Sequence, residues 1–241
     1  MSEKYIKALI KFSEEEGYRK DILDGKLFCR SIKDAATVND PFDSYASTVR
    51  LMFANVRIPF APDILKPVIS FYVVTSDEET DIANINFSEK ELEKLSKDFG
   101  EYVTVIKDVP RFIEQIKGVN LPVYYGCCDY TNEDVPSNPI FNKKTCCSDE
   151  HEFRLMVDNF VCAHDIKGNC LIDEKVLFSY CKDFYVLDRA LFLNIGSISD
   201  IADTYHMSEL KDGIKVRVNF DREKNKVSNL SNLEEYKKTY E

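Results

Sequence analysis

The sequence lacks tryptophan, has only three histidines and contains no apolar run approaching the roughly 18 residues that mark a transmembrane helix. Its first stretch, MSEKYIKALIKFSEEEGYRK, is too charged to resemble a secretory signal peptide. No Pro-, Gly- or Ser-rich linker and no internal repeat divides the chain. These absences predict a cytoplasmic protein that does not enter a membrane.

Cysteine is present eight times, but never at the C-x₂-C spacing that lets two thiolates converge on one zinc ion. Cys127–Cys128 and Cys146–Cys147 are adjacent pairs instead. A chain of 241 residues buries enough apolar surface to fold without disulfides. The sequence therefore predicts reduced cysteines that pack as small apolar residues, and no metal cofactor.

The balance of charge is acidic, with 42 acidic and 32 basic residues and a net charge of −10. No cluster of Lys and Arg along the chain is large enough to offset the repulsion between such a domain and a phosphate backbone. We therefore expect no direct nucleic-acid partner. A nucleotide-type small molecule remains compatible with this composition.

The order of predicted elements favours one α+β domain over residues 1–220, with a mixed, largely antiparallel sheet flanked by helices. Residues 221–241 form a charged tail that we expect to be partly helical. Residues 6–12 fit either a strand or a short helix. We predict strands at 25–32, 67–74, 102–106, 122–130, 145–157, 190–198 and 213–220, and helices opening at Asp40, after the capping box of Ser88 and Glu91, after Asp108, at 174–184 and after Ser199 or Asp200.

The stretch TCCSDEHEFRLMV, residues 145–157, carries the most informative pattern. In an extended strand Glu150, Glu152 and Arg154 share one face, and the alternate apolar residues share the other. These charges either form a surface ion cluster worth about 0–1 kcal/mol or line a site. In a site, a glutamate can anchor a sugar hydroxyl or stabilise an oxocarbenium-like centre, while Arg154 binds phosphate or holds the glutamate.

Two further motifs each have two interpretations. VNDPFDS is typical of an Asx-type turn that opens a helix; alternatively, Asn39, Asp40 and Asp43 face an anion-binding pocket at the helix N-terminus. Thr75 and Ser76 follow a buried strand, where they are either a polar strand exit or hydroxyls that contact a ligand.

The segments DGKLFCRSIKDAATVNDPFDS and FNKKTCCSDEHEFRLMV together resemble a bacterial and phage domain-of-unknown-function family. Its marks are an early Asn-Asp-Pro-Phe-Asp/Glu motif and a later Lys…Glu-x-Glu-x-Arg strand. The resemblance implies an accessory protein of phage–host conflict, met in phages, prophages and phage-defence loci, with a host or phage protein as a partner. The matching positions are Asn39, Asp40, Pro41, Phe42 and Asp43, then Lys143 or Lys144, Glu150, Glu152 and Arg154.

The order of these parts is also similar to that of ADP-ribosyltransferases. Those enzymes bind NAD through an early basic or histidine position, a middle strand with a hydroxyl, and a late glutamate that often stands in Glu-x-Glu. This resemblance implies NAD as a substrate, with Glu152 at the nicotinamide ribose, Glu150 orienting the acceptor, and Ser76 or Thr75 lining the pocket. Lys11 and Arg19 are further ligand-binding candidates: the first strand of the phage family, which is Lys-Tyr-Arg-like, best matches IKFSE, and Arg19 substitutes for the arginine that Ser13 replaces.

Two hypotheses follow for the late acidic strand. In the first, the protein is an NAD-using ADP-ribosyltransferase-like enzyme or glycohydrolase, and Asn39, Asp43, Glu150, Glu152 and Arg154 line one cleft. In the second, it is a non-catalytic factor that binds another protein, and the same residues form a closed ionic network. The sequence alone slightly favours the cleft.

Overall fold

The computed structural model describes residues 3–31, 67–131, 140–158 and 191–239. They form an α+β arrangement with a mostly antiparallel sheet and flanking helices, which confirms the predicted fold class. Within these ranges, no helix is long and apolar enough to cross a bilayer.

The strands and helices of these ranges are as follows. The main sheet contains β1 (Tyr5–Ser13), β2 (Lys26–Ser31), β3 (Pro67–Ser76), β5 (Tyr102–Ile106), β6 (Val123–Cys127), β9 (Glu152–Val157), β10 (Leu191–Asn194) and β11 (Ala202–His206). Two small sheets pair β4 (Ile82–Ile85) with β12 (Ile214–Arg217), and β7 (Asp129–Thr131) with β8 (Asn142–Lys144). The helices are α1 (Glu16–Leu23), α2 (Glu89–Phe99), α3 (Val109–Lys117) and α4 (Leu233–Thr239), with 3-10 helices at Thr145–Glu150, Met207–Leu210 and Val227–Leu230.

The long strand β3 is the branch point of the main sheet. One path runs β10-β2-β3-β1-β5-β11, while β9 also pairs with β3 and carries β6 beyond it. Tyr72 of β3 is paired on both sides: it lies opposite Ile10 on β1 and opposite Glu152 on β9. The acidic strand β9 is therefore an interior strand of the sheet, with β3 on one side and β6 on the other.

Both faces of the sheet are covered by apolar side chains. On β1, Leu9 packs in the cluster that includes α3 residues such as Phe112, whereas Ile10 packs with Leu95 of α2 on the opposite face. A strand buried on both sides reads as a nearly continuous apolar run. That is why residues 6–12 showed no clear period; the structure makes them part of a strand.

The helix predicted after Ser88 is confirmed, with the bounds Glu89–Phe99. The Ser88 hydroxyl accepts the Glu91 N–H at 3.3 Å, and the Glu91 carboxylate accepts the Ser88 N–H at 2.7 Å. Gly100 ends the helix with φ at 95°, a conformation that glycine adopts without steric cost.

The helix predicted after Ser199 or Asp200 is wrong. Ala202–His206 is strand β11, followed by a 3-10 helix at Met207–Leu210. β11 pairs along its whole length with β5, Ala202 opposite Ile106. This pairing satisfies the backbone of an otherwise open sheet edge, which a local capping signal does not reveal.

The single strand predicted at 145–157 is also wrong in its first half. Thr145–Glu150 is a 3-10 helix, and His151 then turns the chain with φ at 41° before β9 begins. Glu150 is therefore not on the strand that carries Glu152 and Arg154. All six residues of β9 are buried, so neither of its faces is solvated. The strand predicted at 122–130 is likewise divided into β6 and β7.

The charged C-terminal segment contains a 3-10 helix and α4 and packs against the sheet. Asn225 exchanges backbone and side-chain hydrogen bonds with Ile6, each 2.8 Å long. Leu230 and Tyr236 are buried. The helices predicted from Asp40 and at 174–184 lie outside the described residues.

Candidate functional site

The centre of the candidate site is an ion pair within β9. Glu152 and Arg154 lie on the same face of the strand, as their spacing predicts. Arg154 Nε donates to Glu152 Oε1 at 2.9 Å, and Nη2 donates to Oε2 at 3.0 Å. Only 8% of Glu152 and 1% of Arg154 is exposed. This bidentate geometry fixes both side chains.

Lys143 of β8 extends the pair into a network. Its Nζ lies 3.0 Å from Glu152 Oε2 and also donates to Glu150 Oε2. Lys143 is buried, whereas Glu150 is partly exposed and has Lys94 of α2 at 4.0 Å on its outer side. We call Lys143, Glu150, Glu152 and Arg154 the Glu152 cluster. Its formal charges cancel.

Neighbouring elements supply the remaining polar contacts of the Glu152 cluster. Arg154 Nη1 donates to the Ile140 carbonyl at 2.5 Å, and the Glu152 N–H donates to the Tyr130 hydroxyl at 2.9 Å. The Ser70 hydroxyl, on β3, hydrogen-bonds the Glu152 carboxylate. β3, β7, β8 and the 3-10 helix thus all converge on β9.

The charge state of Glu152 follows from competing effects. Burial raises its pKa, but the charges of Arg154 and Lys143, with hydrogen bonds from Arg154 and Ser70, outweigh it and hold the pKa well below its usual range. The carboxylate is therefore ionised. A carboxylate has about four acceptor positions, and two Arg154 nitrogens, Lys143 and Ser70 provide four donors.

Thr75 and Ser76, the predicted pocket hydroxyls, lie at the far end of β3. They pair with Ile6 and Tyr5 of β1. Ser76 is four residues beyond the position opposite Glu152, which is about 13 Å along a strand. Its hydroxyl accepts a backbone N–H two residues on at 3.0 Å. The structure does not bring these hydroxyls to the Glu152 cluster.

Lys11 lies on the opposite face of the sheet from Glu152, since it alternates with Ile10 and shares a face with Leu9. Its Nζ donates to the Ser70 carbonyl at 2.9 Å. Burial lowers the pKa of Lys11, and the negative charge of Glu152 opposes this shift. Lys11 therefore interacts with Glu152 through the sheet and not within a shared cleft.

Arg19, the other predicted basic residue, lies on α1. Its guanidinium stacks over the Tyr102 ring at 5.1 Å and pairs with Glu16 at 2.7 Å. Tyr102 is on β5, three strands from β9, which is about 14 Å at ~4.8 Å per strand. Asn39, Asp40 and Asp43 lie outside the described residues, so their meeting with the late strand stays a prediction.

Sequence reasoning missed Ser70 and Tyr130, and reached Lys143 only through the family resemblance. Ser70 had a faint signal, because it is the one polar residue inside PVISFYVV. Tyr130 and Lys143 had none, since their closeness to Glu152 depends on how β7 and β8 fold back over β9.

No metal site is evident in the described ranges, where no group of three or more His, Cys, Asp or Glu side chains is placed to hold an ion. Cys29 and Cys127 are free thiols. Burial raises the pKa of Cys29 and of Cys127 to about 12. These two thiols are therefore protonated and poorly nucleophilic at neutral pH.

Comparisons with known proteins add no relative to this picture. No family model matches the chain, and neither a curated protein nor a solved structure matches it. The family resemblance therefore depends on the two short motifs, and the interpretation of the site depends on its geometry.

Proposed function

We propose that this chain is a non-catalytic accessory protein of phage–host conflict that binds another protein, and that its Glu152 cluster is a structural ionic network. A single observation supports the structural role. Four donors from Arg154, Lys143 and Ser70 occupy the Glu152 carboxylate, which is almost wholly buried. A ribose hydroxyl has to displace one of these donors to reach it.

The network joins separate parts of the chain. Lys143 connects the strand β8 and the 3-10 helix to β9, while Ser70 connects β9 to β3. Leaving a buried charge without its partner costs about 3–5 kcal/mol. The charges therefore favour one arrangement of residues 140–150 over the sheet and disfavour others.

A second candidate is the NAD-using ADP-ribosyltransferase-like enzyme or glycohydrolase. The observation in its favour is that Glu152 is ionised beside a guanidinium, the charge state that a carboxylate needs to stabilise an oxocarbenium-like centre. In this alternative, NAD approaches Glu152 from the side of the partly exposed Glu150. The ion pairs of the Glu152 cluster separate when NAD binds.

Incubation with NAD separates the two candidates. We expect the wild-type protein to release no more nicotinamide, and to transfer no more label, than a protein-free blank. We expect Glu152→Gln to lower the free energy of unfolding by about 3–5 kcal/mol. The proposal fails if wild type releases nicotinamide and Glu152→Gln abolishes the release while keeping the wild-type melting temperature.

A further inference from the structure

The outer end of the main sheet exposes a pair of aromatic side chains. Phe28 on β2 lies opposite Phe192 on β10, and their ring centroids are 5.1 Å apart. The two residues are 45% and 56% exposed. Single exposed apolar residues are ordinary, but adjoining aromatic rings on a sheet surface indicate a contact site.

The charges around this pair differ from those of the whole chain. Lys26, Phe28 and Arg30 alternate along β2 and are all exposed, and β10 adds Phe192 and Asn194 on the same side. We call these five residues the β2–β10 face. Neither strand contains a carboxylate, although the chain as a whole has a net charge of −10. Among the described residues, Lys26 has only a long contact of 3.5 Å to Asp21.

The backbone beside this face also has hydrogen-bonding groups available. The Ile195 N–H donates to the Gly25 carbonyl at 2.9 Å, towards β2. Because backbone groups alternate in direction along an antiparallel strand, those of Phe192 and Asn194 point away from β2. Within the described part of the chain, no strand pairs with that outer edge of β10.

We propose that the β2–β10 face binds an extended acidic segment of a partner protein, which adds a strand to the outer edge of β10. Apolar side chains of that segment pack on Phe28 and Phe192, and its carboxylates pair with Lys26 and Arg30. Main-chain hydrogen bonds supply affinity in this mode, and alternate side chains supply specificity. The inference rests on the proposed function and names the class of partner.

Charge and backbone geometry select this occupant over two others. A second copy of the chain brings its own Lys26 and Arg30 to the face, and like charges oppose that contact. A single-stranded nucleic acid can stack on the rings, but it leaves the backbone groups of β10 without a strand partner.

Peptide binding tests the proposal. The probe is fluorescein-labelled Glu-Val-Glu-Phe-Glu-Val-Glu with a blocked C-terminus, and anisotropy reports binding to the full chain. We expect saturable binding that weakens with salt, and no binding of the peptide in which every Glu is Lys. Phe28→Ser with Phe192→Ser should weaken binding about tenfold or more, as loss of central aromatic contacts does. Tyr18→Ser, at a residue 55% exposed on α1, is the matched control and should leave binding unchanged.

A charge variant distinguishes loss of binding from misfolding. Lys26→Glu with Arg30→Glu changes only exposed side chains, so we expect a wild-type melting temperature and loss of acidic-peptide binding. The proposal is overturned if the acidic peptide does not bind, if the charge variant binds it as well as wild type, or if oligothymidylate binds more tightly. Nicotinamide release by wild type contradicts the proposed function instead, so the two failures are distinguishable.

Discussion

At the level of single residues, Glu152 shows how burial and charge compete for one side chain. Transfer of a lone carboxylate into the protein favours its protonated form. Here two cations and a hydroxyl reverse that preference and keep the group ionised. The four donors therefore make a buried charge tolerable, and the stability of the fold becomes linked to the protonation of Glu152.

The first prediction concerns pH. Because the folded-state pKa of Glu152 lies below its ordinary value of 4.5, the ionised carboxylate contributes stability that is fully present above that value. The contribution is lost as pH falls through the folded-state pKa. We expect the unfolding free energies of wild type and Glu152→Gln, measured by urea titration at several pH values, to converge below pH 4.5. A difference between the two free energies that stays constant with pH would contradict an ionised, ion-paired Glu152.

A second prediction compares two lysines of the same neighbourhood. Lys143 is buried between two carboxylates, whereas Lys94 is half-exposed and lies 4.0 Å from Glu150. We expect Lys143→Met to cost about 3–5 kcal/mol of unfolding free energy and Lys94→Met about 0–1 kcal/mol. Chemical denaturation of both variants is the measurement. Equal losses would mean that the Glu152 cluster is not closed as described.

At the level of elements, the capping box of α2 is a local feature that sequence and structure share. Ser88→Ala removes the acceptor for the Glu91 N–H, and loss of an N-cap side chain costs about 0.5–2 kcal/mol. We expect thermal unfolding to show that loss of stability, and amide hydrogen exchange to be faster in the first turn of the helix. Lys90→Ala is the control in the same turn and should change stability by less than about 0.5 kcal/mol. A similar loss of stability in both variants would show that the missing N-cap is not its cause.

The elements that the sequence predicts well are those with local causes. The Ser88 box, the apolar run of β3 and the alternation of Glu152 with Arg154 all depend on neighbours in the chain. β11 depends on its pairing with β5, more than 90 residues away, so its capping signal gave a wrong helix. The 3-10 helix before β9 ends at Glu150, and no local pattern predicts the positive φ of His151, which follows it.

The same distinction applies to the candidate site. Strand alternation placed Glu152 and Arg154 on one face, and their pairing was one of the two expected outcomes. Ser70, Tyr130 and Lys143 reach the cluster from three other strands. Their positions follow from the branched pairing around β3 and from the folding of β7 and β8 over β9, which one sequence does not encode locally.

At the level of the whole molecule, the C-terminal segment completes the packing of β1. Tyr5 stacks edge-on against Phe220 at 5.4 Å, and Ile6 is hydrogen-bonded to Asn225. Lys7, which lies next along β1, is also held at this end, with its Nζ 3.5 Å from the centroid of the Phe220 ring. The two ends of the described chain therefore stabilise one another, and residues beyond 220 contribute to the domain.

The last prediction tests that contribution at Asn225. Its buried side chain donates to the Ile6 carbonyl at 2.8 Å and accepts the Asp221 N–H at 2.9 Å. Asn225→Ala removes the side-chain partner of both backbone groups, and a buried group that is left unpaired costs about 1–3 kcal/mol. Asn229→Ala is the control, since its exposed side chain donates only to a nearby turn carbonyl at 2.7 Å. We expect urea unfolding to show a loss for Asn225→Ala that is at least about 1 kcal/mol larger than the loss for Asn229→Ala. Equal losses would show that the segment after Phe220 covers the sheet without stabilising it.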